Sequence, residues 1–495
     1  MKSTATQTNR QILDGTVWVF LAEGLILPTG LITAGFLTRQ LGPEGYGLFT
    51  LASVIVAWVE WSITSIFSRT TIKFVGEAKD WQPIGVLVVQ LHLAVSLGVT
   101  LLLWLLAPAI ATGLNEPVLG QYLRLLALDI PIFSLASAQR NILIGRGQFR
   151  PRAMATAGRW TLRLVLIVIL VELGLSVHGA ILGSIGASLT ELVITRYFAP
   201  TPWLQRVNFP TRPLFGYAIP LFVFAMTMRL YDKLDLFMLK VLGGSVEQSG
   251  IYGAAQNLAF IPTILSISFS PLLLSSLSRL LAAGELDTAK QLTRHAMRLV
   301  IGLLPVGAVT IATAPAIVSL IYGDAFLPTA PILSLLIFST LGLMMVSVGT
   351  TILVAAERPK WPVLITLPMV PLAVLGHWQM SPAADAIGAA LVTTFVAGIG
   401  AISSIIAVYI RWRVLPPVVT LGRSLLVCLA IYALSTYWVV TGLWLLMQLL
   451  LLALMIPVLF GILGEFSRSE LKLIREIITG VLPKGAPPAD PPLQP

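Results

Sequence analysis

Long apolar runs separated by short polar turns repeat along the whole chain. An apolar stretch of at least about 18 residues is long enough to cross a bilayer as a helix. Fourteen occur, near residues 16–38, 46–67, 84–111, 123–144, 153–173, 178–198, 214–240, 250–277, 296–322, 328–355, 362–381, 385–410, 418–439 and 442–463. The pattern predicts an all-α polytopic membrane protein of about 14 transmembrane helices. Proline recurs inside the runs, at Pro28, Pro131, Pro220, Pro262 and Pro305, where neighbouring helices can satisfy the backbone groups it frees. About fifteen polar residues precede the first run and no small-residue cleavage signal follows it, so it is expected to stay as the first span.

The runs fall into two similar halves. Ala107-Pro108-Ala109-Ile110 returns letter for letter as Ala314-Pro315-Ala316-Ile317. Leu41-Gly42 with Tyr46-Gly47 matches Leu242-Gly243 with Tyr252-Gly253, His178-Gly179-Ala180-Ile181 aligns with Ile387-Gly388-Ala389-Ala390, and Arg146 aligns with Arg358. The offsets of 201, 206, 207, 209 and 212 drift only by loop insertions, which indicates a duplication. Each copy holds six spans, an even number, so both insert with the same sense as parallel repeats, an arrangement found in transporters. The expected organisation is an N-lobe over 1–212 (spans one to six), a C-lobe over 213–416 (spans seven to twelve), appended spans thirteen and fourteen over 417–466, and a tail over 467–495. The tail reads as an amphipathic helix over Ser467–Leu482, with Ser467 and Glu470 as a capping box, lying on the membrane surface. A proline-rich end follows that is too poor in apolar residues to fold.

Composition agrees with lipid as the solvent: 56% of the 495 residues are hydrophobic and 11% charged, against roughly 25% charged in a soluble domain. The net charge of +10 does not point to nucleic acid, because the cations lie in short loops rather than on one face. Placing both termini in the cytoplasm gathers most Lys and Arg inside, with Arg140, Arg146, Arg150, Arg152 and Arg159 around the loop after span four. The outer loops then carry Glu44, Glu116, Glu172, Glu247, Asp324 and Asp385. Cys428 is the sole cysteine, which excludes an internal disulfide. The four histidines show no ligand spacing, and no Walker, Gly-x-Ser-x-Gly or His-Glu-x-x-His motif occurs. No catalytic residue, metal site or organic cofactor is expected. The glycine-rich Leu41–Gly47 stretch lacks the Lys-Ser/Thr of a phosphate loop and is read as a tight turn between spans.

Chemistry concentrates in span seven, where Arg229, Asp232, Lys233 and Asp235 fall within seven residues. From a cytoplasmic start near Leu214, Arg229 lies roughly 22 Å and Asp235 roughly 31 Å along the helix. Helical spacing pairs Arg229 with Asp232 and Asp232 with Asp235. Lipid exposure there would cost about 2.5–3.5 kcal/mol per charge, so the cluster faces either a wet cavity or itself as a structural salt-bridge network. Glu23 and Glu60 on the cytoplasmic half are candidates to bind H+ or Na+, or partners in interhelical ion pairs. For Asp129, Arg163 and Glu191 pairing or snorkelling is the favoured reading. Gln256 and Asn257 in span eight could hydrogen-bond a sugar or a neighbouring helix.

Four motifs together resemble the polysaccharide transporter (O-antigen flippase-like) branch of the multidrug/oligosaccharidyl-lipid/polysaccharide (MOP) exporter superfamily. They are Leu41-Gly-Pro-Glu-Gly-Tyr-Gly-Leu-Phe49, Asp232-Lys233 followed by Leu242-Gly243, Tyr252-Gly253-Ala254-Ala255, and Ile321-Tyr322-Gly323-Asp324-Ala325-Phe326. The resemblance covers roughly residues 10 to 415 and implies two six-helix lobes about a central cavity lined by spans one, two, seven and eight. It implies a flippase that moves a polyprenyl-diphosphate-linked oligosaccharide from the inner to the outer leaflet of a bacterial plasma membrane, driven by H+ or Na+. Arg229, Lys233, Gln256 and Asn257 become the expected substrate contacts, and Asp232, Asp235, Glu23 and Glu60 the expected coupling groups. Expected partners are the lipid-linked saccharide, membrane lipids, a polysaccharide polymerase and glycosyltransferases. A cation-coupled multidrug or metabolite antiporter is the alternative. A membrane saccharide polymerase or ligase is a third reading, disfavoured because every outer loop is short.

Overall fold

The computed structural model describes residues 18–19, 21–202, 205, 231, 233–356, 358, 360–380, 386–438 and 440–466. The described chain is built from seventeen α-helices. Those of the first copy are α1 (Ile26–Glu77), α2 (Gln82–Gly113), α3 (Leu119–Leu126), α4 (Asp129–Gly145), α5 (Phe149–Leu170) and α6 (Ser176–Phe198). The second contributes α7 (Leu234–Val241), α8 (Val246–Ala259), α9 (Thr263–Ala282), α10 (Leu286–Gly302), α11 (Leu304–Tyr322), α12 (Thr329–Ala355), α13 (Lys360–Thr366), α14 (Met369–Met380) and α15 (Ala386–Trp412). The pair α16 (Val418–Tyr437) and α17 (Trp444–Ile462) ends the described chain.

Among the described residues eleven helical runs are long and apolar enough to cross a membrane, making this a multi-pass membrane protein. Two of the runs are too long for one crossing. The 52 residues of α1 would reach roughly 78 Å if straight, against about 30 Å of hydrocarbon. Non-helical geometry at Gly42 (φ +67°) breaks α1 just before Pro43, at a φ that costs glycine no Cβ strain. A π-turn over Val171–Leu175 with Gly174 at φ +87° separates α5 from α6. The eleven runs thus cover thirteen of the fourteen apolar segments. The seventh, 214–240, falls largely outside the described residues, as do Arg229, Asp232 and the Ser467–Leu482 segment. The segment at 250–277 is two helices, α8 and α9, broken at Pro262. Span nine begins earlier than its apolar run, because the amphipathic α10 leads into α11.

Helices α1 to α6 pack on one another, and so do α7 to α15. At the end of the bundle that carries the Gly42, Gly174 and Gly323 turns, one apolar cluster joins the two groups. Tyr46, Phe49 and Ala52 of α1 share it with Val246, Ile251 and Tyr252 of α8 and with Val318 and Tyr322 of α11. At the opposite end, near the Gly147 and Gly284 turns, the apolar residues form two separate clusters. One holds Phe67, Val88 and Ile142 of the first group, and the other holds Leu277, Met297 and Val348 of the second.

The appended pair α16–α17 packs on α11 through Ala308, Val427, Ile431, Leu452 and Phe460. A polar clamp fixes its far end. Arg298 of α10 donates to Glu465 Oε1 at 2.6 Å, Arg423 of α16 donates to Oε2 at 2.8 Å, and Thr420 completes the set. Burial pushes the Glu465 carboxyl up, but the hydrogen bonds from Thr420, Arg423 and Arg298 outweigh it and hold the group below its usual range. A depressed carboxylate contributes stability that is full at neutral pH and is lost only as pH falls through the depressed value. Glu465→Gln is therefore expected to lower the melting temperature at pH 7 by an amount matching about 1–3 kcal/mol. The difference between variant and wild type should vanish in strongly acidic buffer. Thermal unfolding in detergent across pH measures both.

Candidate functional site: a charged interior and the joint between the helix groups

Asp235, in the first turn of α7, is the best-anchored carboxylate of the second group. Its Oδ1 accepts from the Leu236 amide at 2.8 Å and from Gln256 Nε2 at 2.8 Å, and its Oδ2 accepts from the Tyr252 hydroxyl at 2.7 Å. The Thr393 hydroxyl lies 3.5 Å from Oδ2 and closer, at 3.0 Å, to the Ala389 carbonyl. Gln256 Oε1 accepts from Lys233 Nζ at 2.9 Å. The Gln256 amide therefore bridges a cation and an anion, with each of its ends facing the charge it can answer. His377 of α14, almost fully buried, is within electrostatic reach of Asp235. Four helices, α7, α8, α14 and α15, thus converge on one carboxyl group.

The joint between the groups is made by close backbone approach. A Cβ on Gly47 would sit 2.1 Å from the Val246 carbonyl oxygen, one on Gly250 would sit 2.3 Å from the Pro43 oxygen, and one on Gly35 would sit 2.7 Å from the Ile321 oxygen. Small residues allow membrane helices to meet in this way. Polar contacts reinforce the seam. Asn257 Nδ2 donates to the Tyr46 hydroxyl at 2.9 Å, and Lys240 Nζ donates to Glu116 at 2.8 Å. The Arg39 guanidinium donates to the Leu320 carbonyl at 2.6 Å and to those of Ser319 and Ile321 at 3.4 Å, capping the C-terminal turn of α11. A cation at that end also meets the negative end of the helix dipole.

A ladder of ionisable groups runs through the first group. Nearest the Gly147 end, Arg152 of α5 pairs with Glu23 at 2.7 Å. Deeper, the fully buried Glu191 of α6 pairs with Arg140 of α4 and, at 3.0 Å, with Arg159 of α5. Deeper still lie Glu60 of α1 and Asp129 of α4, 6% and 5% exposed. Glu60 is within electrostatic reach of Asp129, Arg159 and Arg163. Arg163 in turn reaches Tyr46, the residue that takes the Asn257 hydrogen bond across the joint.

Of the residues singled out in the sequence, Lys233, Asp235 and Gln256 come together, while Asn257 serves the joint instead. Glu23 and Glu60 belong to the separate ladder in the first group. Gln256 and Asn257 both bond protein groups. Arg229 and Asp232 lie outside the described residues, and with them the pairing inferred from helical spacing. Sequence reasoning missed Tyr252 and Thr393 as partners of Asp235, and Tyr46 and Arg39 as parts of the joint. The repeated Tyr-Gly of the two copies was the available signal for Tyr46 and Tyr252.

Comparison with known proteins places this geometry. Residues 36–331 match the family model described as "Polysaccharide biosynthesis protein". The succinoglycan biosynthesis transport protein ExoT of Rhizobium meliloti (strain 1021) is 23% identical over 270 residues, 54% of this chain and about half of that relative's length (53%). A structure of lipid II flippase MurJ in an inward closed conformation superposes with a TM-score of 0.69 at 17% identity, covering 94% of this chain and 100% of that one. An inward-facing multidrug resistance MATE family transporter of the MOP superfamily gives 0.62 at 13% identity, covering 80% and 94%. The fold is thus that of the MOP transporters. The chain belongs to the polysaccharide biosynthesis protein family.

Two outcomes test this geometry. Asp235→Ala removes the shared acceptor of Tyr252, Gln256 and the Leu236 amide, and hydrogen bonds to a charged group are worth about 1.5–3 kcal/mol. Its melting temperature is expected to fall further than that of Asp235→Asn, which keeps one acceptor oxygen. Gly47→Ala places a methyl against the Val246 carbonyl, so spin labels at Glu44 and Glu247 should report a longer distance than in the otherwise unaltered protein. An unchanged distribution would mean that the approach at Gly47 does not hold the joint.

Proposed function

We propose that the protein carries a polyprenyl-diphosphate-linked oligosaccharide from the inner to the outer leaflet of a bacterial plasma membrane by alternating access, as a transporter without enzymatic activity. The two repeats act as N- and C-lobes, with both termini cytoplasmic. In that orientation the Gly42 end faces outward, so the described state is closed outside and parted inside. One observation carries the reading: a single apolar cluster joins the groups at one end, while two separate clusters lie at the other. A bundle built only for stability has no use for that asymmetry, whereas a carrier must seal one side at a time. The family match and the polysaccharide-transport relative support a saccharide cargo.

A hydrated diphosphate cannot enter hydrocarbon unaided, so it travels along a polar seam while its lipid tail stays among the acyl chains. Lys233 and, from the sequence, Arg229 meet the diphosphate, with Gln256 and Asn257 available to sugar hydroxyls once the joint opens. The arginines of α4 and α5 supply positive potential at the cytoplasmic mouth. Asp235 orients Lys233 through Gln256, and H+ or Na+ drives the cycle, with Glu23, Glu60 and Asp232 as further candidates for coupling. A polymerase and glycosyltransferases act before and after it on the same glycan.

Reconstitution in vesicles containing a fluorescent polyprenyl-diphosphate glycan, with and without a pH or Na+ gradient, tests the reading. Gradient-stimulated transfer to the far leaflet is expected, and Lys233→Ala should slow it at least about tenfold, equivalent to 1.4 kcal/mol. If the glycan lipid stays in its leaflet while a soluble cationic drug is exchanged for protons, the protein is an antiporter and the flippase assignment is wrong.

A further inference from the structure

We propose that Glu60 and Asp129 form a one-proton site inside the N-terminal helix group, and that the ion it takes is H+ rather than a metal cation. The inference rests on the transporter reading only for what the proton does, not for where it binds.

Asp235 is the useful contrast. Its two oxygens accept from three donors within 2.8 Å, so both are answered by the protein. Glu60 and Asp129 are as deeply buried, yet Glu60 Oε1 and Asp129 Oδ1 accept no hydrogen bond. Ser188 of α6, fully buried, lies beside Asp129 without closing a bond to it, and its hydroxyl is likewise unpartnered. An unanswered carboxylate oxygen in a low-dielectric interior is costly, and two neighbouring carboxylates raise the cost by mutual repulsion. One shared proton relieves both penalties.

The surroundings choose the ion. Arg159 and Arg163 of α5 reach Glu60 electrostatically, and Glu191 of α6 reaches Asp129. Two guanidinium groups repel a metal cation, which would also need several oxygen ligands. Among the described residues no group of three or more His, Cys, Asp or Glu is placed to hold a metal. A proton needs only one acceptor oxygen and a second oxygen to bond.

The step is a simple transfer: a proton from water bonds one carboxylate oxygen, making a carboxylic acid and changing the pair from −2 to −1. The ladder has four cations (Arg140, Arg152, Arg159, Arg163) and four carboxylates (Glu23, Glu60, Asp129, Glu191). Loading the pair leaves it one positive charge in excess. Arg163, which reaches both the pair and Tyr46, carries that change toward the joint.

Infrared spectroscopy of the purified full-length protein reads the proton directly, through the C=O stretch of a protonated carboxylic acid. Wild type at pH 7 is expected to show one such band that disappears in strongly alkaline buffer, with no response to sodium at fixed pH. Glu60→Gln and Asp129→Asn should each abolish it, because either acid left alone among the arginines ionises. Asp235→Asn should keep it. Glu60→Asp, which retains the carboxyl, should also keep it, and this separates titration from loss of fold. No band in wild type, a band surviving in both charge-removing variants, loss in only one of them, or displacement of the band by sodium would each overturn the shared-proton site. Because the measurement uses no glycan lipid, its failure leaves the vesicle assay above to stand or fall separately.

Discussion

A charge inside a lipid-embedded bundle must be answered by another polar group of the protein, because the hydrocarbon offers nothing. That constraint organises this molecule. Two systems of ionisable side chains lie deep in the bundle. In the second helix group a single anion, Asp235, draws donors from separate helices and orients a lysine through one amide. In the first group, acids and arginines alternate from the rim of the bundle toward its middle. The two systems come close to each other where Tyr46 meets Asn257.

Landmarks repeated in the sequence recur in this geometry. Gly42 and Gly243, equivalent in the two copies, both take positive φ (+67° and +103°), so each copy turns sharply after its first span. The Tyr-Gly pair that follows is then delivered to the same level in each half, and the halves meet there: Gly47 lies against Val246 and Gly253 against Thr50. The two tyrosines have diverged. Tyr46 accepts a hydrogen bond from the opposite group, whereas Tyr252 donates to Asp235 within its own. The repeated Tyr-Gly motif thus serves the seam at Tyr46 and the charged hub at Tyr252.

Much of this was legible in the chain itself. The length and composition of the apolar runs announced a polytopic helical protein. That Lys233 and Asp235 need polar partners could be read from their cost in a membrane helix. What could not be read was partnership between distant segments. Nothing in the spacing of Glu23 and Arg152, or of Asp235 and Tyr252, links them, because the links arise only when helices far apart in sequence are packed side by side. Helix breaks were partly visible: Pro262 does divide its segment. The start of α10 was hidden because its polar face interrupts the apolar count while leaving the helix intact. For Asn257 the sequence left a sugar contact and a bond to a neighbouring helix both open, and the structure places its amide on Tyr46.

The cap that Arg39 places on α11 has a consequence for how the seam parts. While the halves are together, three carbonyls at the helix terminus are served by one guanidinium that itself stays exposed to solvent. Separation removes that donor from the carbonyls, and incoming water takes its place. Opening is therefore a hydration event, governed by water activity as well as by charge. Osmolytes too large to enter the widening gap would hold the seam shut, and the number of water molecules taken up could be read from how steeply they do so.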